Sequence, residues 1–526
     1  MLDVIETPAA EVIGYRSVPM LLRAITNMLN LGQTQHAEAT LADLLREHPT
    51  QGEVWALQGG LEARRGRPDL ALPMYRHALE LDPKNIMLHS AYIFALDQSP
   101  DVSLEEAYRA RRAFNDLVKT DTPLSYANDA DPQRPRLRVG YVSGDFKNHS
   151  AAFGWAPILI CHNRDEVEVF AYSCSEGSDW VAEEIQSKGV QWRAAARWGD
   201  ERLYAQIQED RIDILVDLSG HSSGNRLPVF ARKPAPVQIT MIGYITGTGL
   251  DAMDYMFADE DTIHPDEERW YAEEIVRLPR IMTFWPTDPE SVGEVQPLPA
   301  LQNGFLTFGV FNRLGKIQPA CARAWGEILR RLPDARLVVK SPGLGDPHAR
   351  LGLEAMFREA GCDVARMEFL GSTVKNEHMK TYHRIDVALD PSPHGGGMST
   401  LEAAWMGVPT LTMPHVQIPS RIATTVAREL SLSALVVDSW DAYIEQAVSF
   451  DSQRAELAKV RALLREMMRV SSFGDHGRYC RAVEQRYREL WQRWCRGDVP
   501  KKAAPLHLVE PEGERWDADS NAWVSA

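Results

Sequence analysis

Cysteine is scarce in this sequence, and no cysteine pair has the spacing of a metal or redox motif. Six cysteines are spread over 526 residues, and no two of them are separated by only two residues. This distribution argues against zinc ribbons and thioredoxin-type sites. In a chain of this length it predicts reduced thiols, and we therefore expect a cytoplasmic protein.

Long apolar runs are also missing. No uncharged apolar stretch reaches the length of about 18 residues that a membrane helix needs. The first residues do not form a basic segment followed by an apolar core, which a secretory signal would require. We expect neither a membrane span nor an export signal.

Basic side chains are in the minority. The chain has 57 lysine and arginine residues against 73 aspartate and glutamate residues, a formal net charge of −16. An acidic surface repels nucleic acid and anionic lipid, so nucleic acid is not an expected partner. The length favours about three domains, at about 100–200 residues each.

The first quarter of the chain has only helical periodicity, and it repeats itself. Four residue pairs recur in register, at Gly32 and Gly66, Ala37 and Ala71, Leu45 and Leu79, and Pro49 and Pro83, each 34 residues apart. A glycine in the tight turn between helices and a proline after the second helix are typical of tetratricopeptide repeats. Residues 1–125 are therefore predicted to form a helical arm of two to three such repeats. A plain helical hairpin domain is the alternative.

After a polar linker from Leu124 to Arg136, short apolar strands alternate with helical segments. The predicted strands of a first half, residues 126–295, are Leu137–Ser143, Val167–Tyr172, Ile212–Asp217, Val237–Tyr244 and Tyr255–Ala258. Those of a second half, residues 296–495, are Thr307–Phe311, Ala335–Lys340, Arg366–Leu370, Val387–Leu389 and Val408–Met413. This alternation predicts an α/β fold of two Rossmann-like halves, which face each other across a ligand cleft. The charged tail, residues 496–526, lacks periodicity and is expected to be disordered or loosely docked.

A glycine-rich turn in the second half is a candidate anion site. Three glycines, Gly395–Gly397, follow a strand, and Ser399-Thr-Leu-Glu402 then fits a capping box that opens a helix. Glycines let backbone N–H groups approach an anion, and a helix start supplies unpaired donors. We predict that Gly396, Gly397, Ser399 and Thr400 bind a diphosphate and that Glu402 accepts hydrogen bonds from ribose hydroxyls. A turn with no ligand is the alternative.

Basic side chains occupy two other loops of the second half. Arg313 and Lys316 lie between a predicted strand and the helix that opens at Pro319. A cation at this position can neutralise a leaving diphosphate, although a surface lysine is the alternative. Lys375 and His378 lie one helical turn apart and are predicted to face a base or a phosphate.

Candidates for proton transfer follow strands of the first half. His149 and His221 come after strands whose carboxyl ends share one edge of the sheet. Histidine suits general acid–base catalysis near neutral pH, although a structural histidine is the alternative for each. Asp210 and Asp217 flank the strand before His221 and are candidate proton partners.

No Asp-x-Asp metal motif lies in a suitable loop, and Asp259-Glu-Asp261 is predicted to be an acid cluster at a strand end. We therefore expect chemistry without a metal or another cofactor. Side-chain cations and a helix dipole would take the place of the metal.

With these motifs in order, the chain resembles the SPINDLY and O-GlcNAc transferase family. The similar stretch runs from about Arg136 to Trp494. Its markers are Val139–Phe146 with Asn148 and His149, Ile214–His221, Arg232–Gln238, Gly243-Tyr244, Phe311-Asn312 with Lys316, Glu377-His378, Glu402–Trp405 with Gly407–Pro409, and Ser420-Arg421.

This resemblance implies a GT-B glycosyltransferase with a tetratricopeptide arm. Such an enzyme moves a sugar, with inversion, from a nucleotide sugar to a serine or threonine of a polypeptide. The implied roles place His149 and His221 at the acceptor and sugar, Lys316 at the diphosphate, and Lys375 and His378 at the base. The turn Gly396–Ser399 would bind the phosphates and Glu402 the ribose, and Asp210 matches a proton-transfer position.

Three departures leave the donor open. Met398 stands where a threonine is usual, His394 where an aromatic is frequent, and Arg313 where an uncharged polar residue is commoner. UDP-GlcNAc is the default donor, with UDP-glucose and GDP-fucose as alternatives. The cleft and the arm are expected to hold the acceptor polypeptide, and a homo-oligomer is left open. An inactive scaffold protein and a nucleotide-sugar epimerase are the rival functions.

Overall fold

The computed structural model describes residues 17–120, 126, 128, 130–244, 246–502, 514–517 and 522–525. The predicted regions 1–16 and 121–125 lie outside the described residues, as does most of the tail. Among the residues described, no helix is long and apolar enough to cross a membrane.

The arm consists of three antiparallel helix pairs. Its helices are α1 (Val18–Asn30), α2 (Thr34–Glu47), α3 (Gly52–Arg64), α4 (Pro68–Leu81), α5 (Ile86–Leu96) and α6 (Leu104–Val118). The turns inside the first two pairs contain Gly32 and Gly66, whose φ angles of 72° and 73° lie in the left-handed region that glycine adopts without strain. The 34-residue period therefore follows from the repeated turn, and the predicted helical arm is confirmed.

The first half is built on one parallel sheet of seven strands. The strands are β1 (Leu137–Ser143), β2 (Val167–Ser173), β3 (Gln191–Ala194), β4 (Ile214–Asp217), β5 (Val237–Thr240), β6 (Tyr255–Ala258) and β7 (Glu274–Arg277). Their order is β3-β2-β1-β4-β5-β6-β7. The helices that follow β1 to β4 are α7 (Ala152–Cys161), α8 (Trp180–Ser187), α9 (Asp200–Glu209) and α10 (Leu227–Ala231). Sequence analysis missed β3 and β7, because both are short and only partly buried.

The second half has a parallel sheet of five strands in the order β10-β9-β8-β11-β12. Its strands are β8 (Thr307–Val310), β9 (Arg336–Lys340), β10 (Met367–Leu370), β11 (Val387–Leu389) and β12 (Thr410–Leu411). Its helices are α11 (Pro289–Val292), α12 (Pro299–Asn303), α13 (Pro319–Arg331), α14 (Pro347–Glu359), α15 (Lys375–Thr381), α16 (Met398–Trp405), α17 (Ile418–Glu429), α18 (Trp440–Ser449) and α19 (Arg454–Val470). Each sheet reverses its strand order beside its first strand, and such switch points are where open α/β sheets bind ligands. The two halves confirm the predicted GT-B fold.

The last long helix, α20 (His476–Cys495), returns to the first half. Its Tyr487 hydroxyl lies 3.1 Å from that of Tyr141 in β1, and the Trp491 indole donates to the Asp131 carbonyl at 2.8 Å. Both aromatic side chains are fully buried. The predicted boundary, which assigns residues 296–495 to the second half, therefore does not separate the two cores, because the apolar face of α20 completes the first one.

The arm packs against both halves. Arg111 of α6 forms a buried ion pair of 2.7 Å with Asp97 and donates to the Gly247 carbonyl of the first half. On the other side, Gln318 of the second half donates to the Gln98 carbonyl at 2.8 Å. The arm is therefore a fixed wall of the catalytic region.

Two short strands lie in the predicted tail. Strands β13 (Glu514–Asp517) and β14 (Ala522–Ser525) pair in antiparallel register, with Trp516 opposite Trp523. The prediction of disorder is wrong for these residues. Aromatic residues favour strands, and two such segments outweigh the charge of the surrounding tail.

Candidate active site

A cavity of about 2030 Å³ lies where the two sheets and the arm meet. Loops after β1 and β4 line it from the first half, and loops after β8 and β11 line it from the second. Helices α3 to α5 of the arm close a third side. The volume exceeds the roughly 300–1,000 Å³ of ordinary small-molecule sites, so the cavity has room for more than one ligand.

The glycine-rich turn is folded around the buried carboxylate of Asp390, which follows β11. The Gly396 amide donates to Asp390 Oδ1 at 2.5 Å, and the Thr412 hydroxyl donates to Oδ2 at 2.8 Å. A methyl group on Gly395 would lie 2.6 Å from Asp390 Oδ2. Two glycines are thus required by close approach, and burial raises the pKa of Asp390 to about 7.

Helix α16 begins at the end of this turn and points its free N–H groups into the cavity. Among the described residues, none accepts a hydrogen bond from the backbone N–H of Gly397, Met398 or Ser399. The Asn312 amide donates to Ser399 Oγ at 3.1 Å, and the Thr400 hydroxyl donates to the Gly396 carbonyl at 3.0 Å. Free N–H donors at a helix start form an anion site.

The predicted capping box is wrong. The N-cap of α16 is Gly397 rather than Ser399, and a glycine has no side chain that could cap the helix. Glu402 instead turns towards α15, where its carboxylate contacts the ammonium of Lys375 and lies 3.2 Å from His378 Nε2. The pattern misled because the helix begins at Met398, two residues earlier than a capping box at Ser399 requires.

The cluster of Glu402, Lys375 and His378 is arranged for binding at one side of the cavity. Burial would raise the pKa of Glu402, but the His378 hydrogen bond and the Lys375 charge outweigh burial and lower the pKa to about 2. The Lys375 ammonium also lies 4.9 Å from the centre of the Phe153 ring in the first half. The Glu402 carboxylate therefore stays ionised beside the Lys375 ammonium, and the contact of Lys375 with Phe153 joins the two halves.

Lys316 reaches the glycine-rich turn from the opposite loop. Its ammonium donates to the Gly395 carbonyl at 2.6 Å. Burial and the neighbouring charge of Arg313 lower the pKa of Lys316 to about 7, against the opposing effect of Asp390. Arg313 is exposed to the cavity. The structure brings both predicted cations to the predicted phosphate turn.

His149 faces this turn from the first half. Its Nδ1 lies 3.5 Å from Asp145 Oδ2, and 45% of its side chain is exposed. Burial, followed by the charges of Lys147 and Arg313, lowers the pKa of His149 despite the proximity of Asp145. A neutral imidazole beside an open cavity can accept a proton.

His221 also lines the cavity, but its ring is held by two hydrogen bonds. It is 2% exposed, its Nε2 lies 2.9 Å from the Thr248 carbonyl oxygen, and its Nδ1 lies 3.2 Å from the Ser90 hydroxyl of the arm. Burial lowers its pKa to about 3. Both ring nitrogens are occupied, so His221 joins the arm to the first half.

Asp210 lies away from the cavity, unlike the other three predicted catalytic residues. It follows α9, before β4, and does not line the cavity. Its carboxylate forms an ion pair with Arg193 at 2.7 Å and accepts from the Tyr172 hydroxyl at 2.8 Å. Asp217 accepts from Ser219, Gly220 and Thr240 and shapes the turn after β4.

Sequence analysis missed Asp390. The available signal was an acidic residue directly after a buried strand and directly before the proline- and glycine-rich turn. Asp259 and Asp261, the predicted acid cluster, have other partners. Asp259 accepts from Thr425, and Asp261 pairs with Arg280 at 3.0 Å.

Two parallel sheets thus place a helix start, two cations and the Glu402 carboxylate around one cavity, in the two-domain arrangement of the GT-B class. A family model described as glycosyl transferase family 41 matches residues 105–291 and 298–483. The chain belongs to this family. The matched part begins inside α6, in agreement with the tight packing of that helix on the first half.

Relatives of known name agree with this assignment. A SPINDLY protein of Solanum lycopersicum, named as a probable UDP-N-acetylglucosamine–peptide N-acetylglucosaminyltransferase, is 34% identical over 434 residues, which cover 80% of this chain and 46% of that protein. A protein of Caenorhabditis elegans named UDP-N-acetylglucosamine–peptide N-acetylglucosaminyltransferase is 24% identical over 72% of this chain and 42% of its own length. The chain thus spans less than half the length of these relatives.

A solved structure extends the similarity to nearly the whole chain. A mutant of the Thermobaculum terrenum O-GlcNAc transferase superposes with a TM-score of 0.78 at 29% identity, covering 92% of this chain and 100% of the other. Because the coverage includes more than the matched family region, the arm shares in the similarity.

Proposed function

We propose that the protein is an inverting, metal-independent glycosyltransferase that moves GlcNAc from UDP-GlcNAc to a serine or threonine of a polypeptide. The names of its relatives support the donor and the acceptor class. The observation that carries the proposal is the junction of Lys316 with the glycine-rich turn, within the cavity that His149 also lines. There, Lys316 would stabilise a leaving diphosphate and His149 would accept the proton of an attacking hydroxyl.

The donor would lie along the second half. Its diphosphate accepts hydrogen bonds from the free N–H groups at the start of α16, and Lys316 neutralises the charge that grows as the diphosphate leaves. Glu402, held by Lys375 and His378, accepts from the ribose hydroxyls. This arrangement stabilises the transition state more than the bound donor, because the diphosphate is most negative when the sugar bond breaks.

The acceptor hydroxyl would attack from the side of the first half. Its oxygen forms a bond to the anomeric carbon while the bond from that carbon to the diphosphate oxygen breaks, which inverts the configuration. His149 takes the hydroxyl proton, since its lowered pKa keeps the imidazole neutral at pH 7. The diphosphate leaves with the electron pair.

The proposal includes chemistry without a metal, and it places the reaction in the cytoplasm. Lys316 and Arg313 supply positive charge where other enzymes use a divalent ion. All six cysteines are free thiols, which suits a reducing compartment.

Intact-mass spectrometry of acceptor proteins provides the test. The protein is incubated with UDP-GlcNAc, UDP-glucose or GDP-fucose in the presence of a chelator, and the added mass identifies the sugar. We expect GlcNAc addition by the wild type and none by Lys316→Ala. Nucleotide binding without transfer of any of these sugars would instead favour the scaffold function, and release of an epimerised free sugar would favour the epimerase.

A further inference from the structure

Three arginines line the cavity between the arm and the second half. Arg64 ends α3 of the arm, Arg313 lies in the loop after β8, and Arg323 lies in the second turn of α13. All three side chains are exposed. Within the described part of the chain, none of them forms an ion pair, although the protein as a whole carries a net charge of −16.

The arm and the Lys316 loop are in direct backbone contact beside these arginines. A methyl group on Gly315 would lie 2.6 Å from the Ala63 carbonyl oxygen and 3.4 Å from the Arg64 Cα. This contact places Arg64 of the arm beside the loop that carries Arg313. An anion bound there relieves the repulsion between like charges.

The other two arginines that line the cavity already have carboxylate partners. Arg65 pairs with Glu38 and Glu62, and Arg67 pairs with Asp69 at 3.2 Å. Arg64, Arg313 and Arg323 are therefore the cavity arginines that lack a carboxylate partner among the described residues.

The nucleotide sugar accounts for only part of this charge. Its diphosphate would meet Lys316 and the N–H groups of α16, whereas Arg64 belongs to the arm and Arg323 to the helix beyond the loop. The cavity volume of about 2030 Å³ leaves room on the arm side for a second ligand. That ligand has to be negatively charged and has to contact the arm.

We propose that Arg64 and Arg323, the two of these arginines that the donor does not use, bind acidic residues of the acceptor polypeptide, so that the protein prefers serine or threonine flanked by aspartate or glutamate. This inference rests on the proposed function and specifies its acceptor. The arm then selects acceptors close to the reacting hydroxyl by charge. Electrostatic complementarity of this kind governs specificity and association rate more than affinity.

The test uses one acceptor peptide in three forms, with flanking Asp and Glu, with Asn and Gln, or with Lys. Binding is measured by fluorescence anisotropy of the labelled peptide in the presence of UDP, and transfer is measured separately as kcat/KM. We expect the acidic form to be preferred. The substitutions Arg64→Gln and Arg323→Gln each lower its kcat/KM by about fivefold, as for partly exposed ion pairs, and leave the neutral form unaffected.

Two controls make the outcome decisive. Arg330→Gln removes an arginine of the same helix that pairs with Glu327 outside the cavity, and it is expected to leave the preference intact. Calorimetry of UDP binding to Arg64→Gln and Arg323→Gln is expected to match the wild type. Equal binding of all three peptides, or an equal loss for all three in the variants, overturns the inference. Transfer of sugar to any of the peptides would still support the proposed function. Selective binding of the acidic peptide without transfer to any peptide would support the inference and contradict the proposed function.

Discussion

The Gly396 amide donates a hydrogen bond of 2.5 Å to the buried Asp390 carboxylate, and this contact sets the shape of the glycine-rich turn. The carboxylate is 3% exposed and also accepts from Thr412. The Asp390 carboxylate therefore holds the turn on the side that faces away from the cavity. The free N–H groups at the start of α16 depend on this arrangement for their direction.

Alanine substitutions at neighbouring glycines separate this effect from a general loss of flexibility. A methyl group on Gly396 would lie 2.4 Å from Ser399 Oγ and 3.0 Å from Asp390 Oδ1. On Gly397 the nearest atom, in Ile422, would be 3.6 Å away. We expect Gly396→Ala to weaken UDP binding at least tenfold, about 1.4 kcal/mol, and Gly397→Ala to have a much smaller effect. Calorimetry measures both, and equal losses would show that the turn is not anchored through Asp390.

The lowered pKa of Lys316 predicts that nucleotide binding depends on pH. Its pKa is lowered to about 7, so its charge is present below that pH and is lost as the pH rises. UDP binding should weaken between pH 7 and pH 9, a window above the second phosphate pKa of about 6. The charged groups near Lys316 are Arg313 and Asp390, and Asp390 titrates near pH 7 as well.

The variant Lys316→Gln tests whether Lys316 causes this pH dependence. It should bind UDP weakly and with a nearly constant affinity from pH 7 to pH 9, as measured by calorimetry. A slope that persists in Lys316→Gln would transfer the effect to Asp390 or to another group.

His149 and His221 should respond in opposite ways to alanine substitution. For His149→Ala we expect kcat to fall by about 10²- to 10⁴-fold, the usual worth of a general base, with an unchanged melting temperature. For His221→Ala the buried Ser90 hydroxyl loses its acceptor, which costs about 1–3 kcal/mol of stability. Thermal unfolding and initial rates measured on the same samples distinguish the two, and a stable but inactive His221→Ala would support its predicted catalytic role.

The sequence predicted which residues follow the carboxyl ends of the strands better than it predicted where their side chains point. Strands and their polar turns are recognisable because buried parallel strands are short apolar runs that end at turn residues. The residues that the pattern singled out, Lys316, His149 and Glu402, all line the cavity. The same pattern places His221 after a strand. It carries no information on Ser90 of the arm, whose hydroxyl contacts the Nδ1 atom of His221.

Long-range partners explain the other differences. Asp210 is an acidic residue near a strand in sequence, yet Arg193 and Tyr172 determine its role. The amphipathic pattern of α20 predicts a helix but does not specify which core receives its apolar face. The anchoring role of Asp390 likewise depends on Gly396 and Thr412, whose proximity only the fold creates.

The repeat offers a matched pair of substitutions for the docking of the arm. Gly32 and Gly66 occupy equivalent turns with nearly equal φ angles. A methyl group on Gly66 would lie 2.1 Å from the Ile317 carbonyl oxygen, next to Lys316, whereas on Gly32 the nearest atom is the Cβ of Asp346 at 3.7 Å. Both alanine variants incur the strain of a positive φ, about 1 kcal/mol, but only Gly66→Ala displaces the loop.

We therefore expect Gly66→Ala to raise the KM for the nucleotide sugar several-fold and Gly32→Ala to leave it near the wild-type value. Steady-state kinetics with a saturating acceptor provides the measurement. A similar KM in both variants would mean that the arm does not influence the donor loop.

The return of α20 to the first half also bears on how the chain is made. Strand β7 ends at Arg277, and the helix that fills the core beneath β1 begins at His476, about 200 residues later. At translation rates of about 5–20 residues per second, the first half waits roughly 10–40 s for its last helix. During this interval the apolar surface that Tyr487 and Trp491 later cover is exposed. Biosynthesis of this protein therefore includes a stage at which all seven strands of the first sheet have been made while one apolar surface of its core is still uncovered.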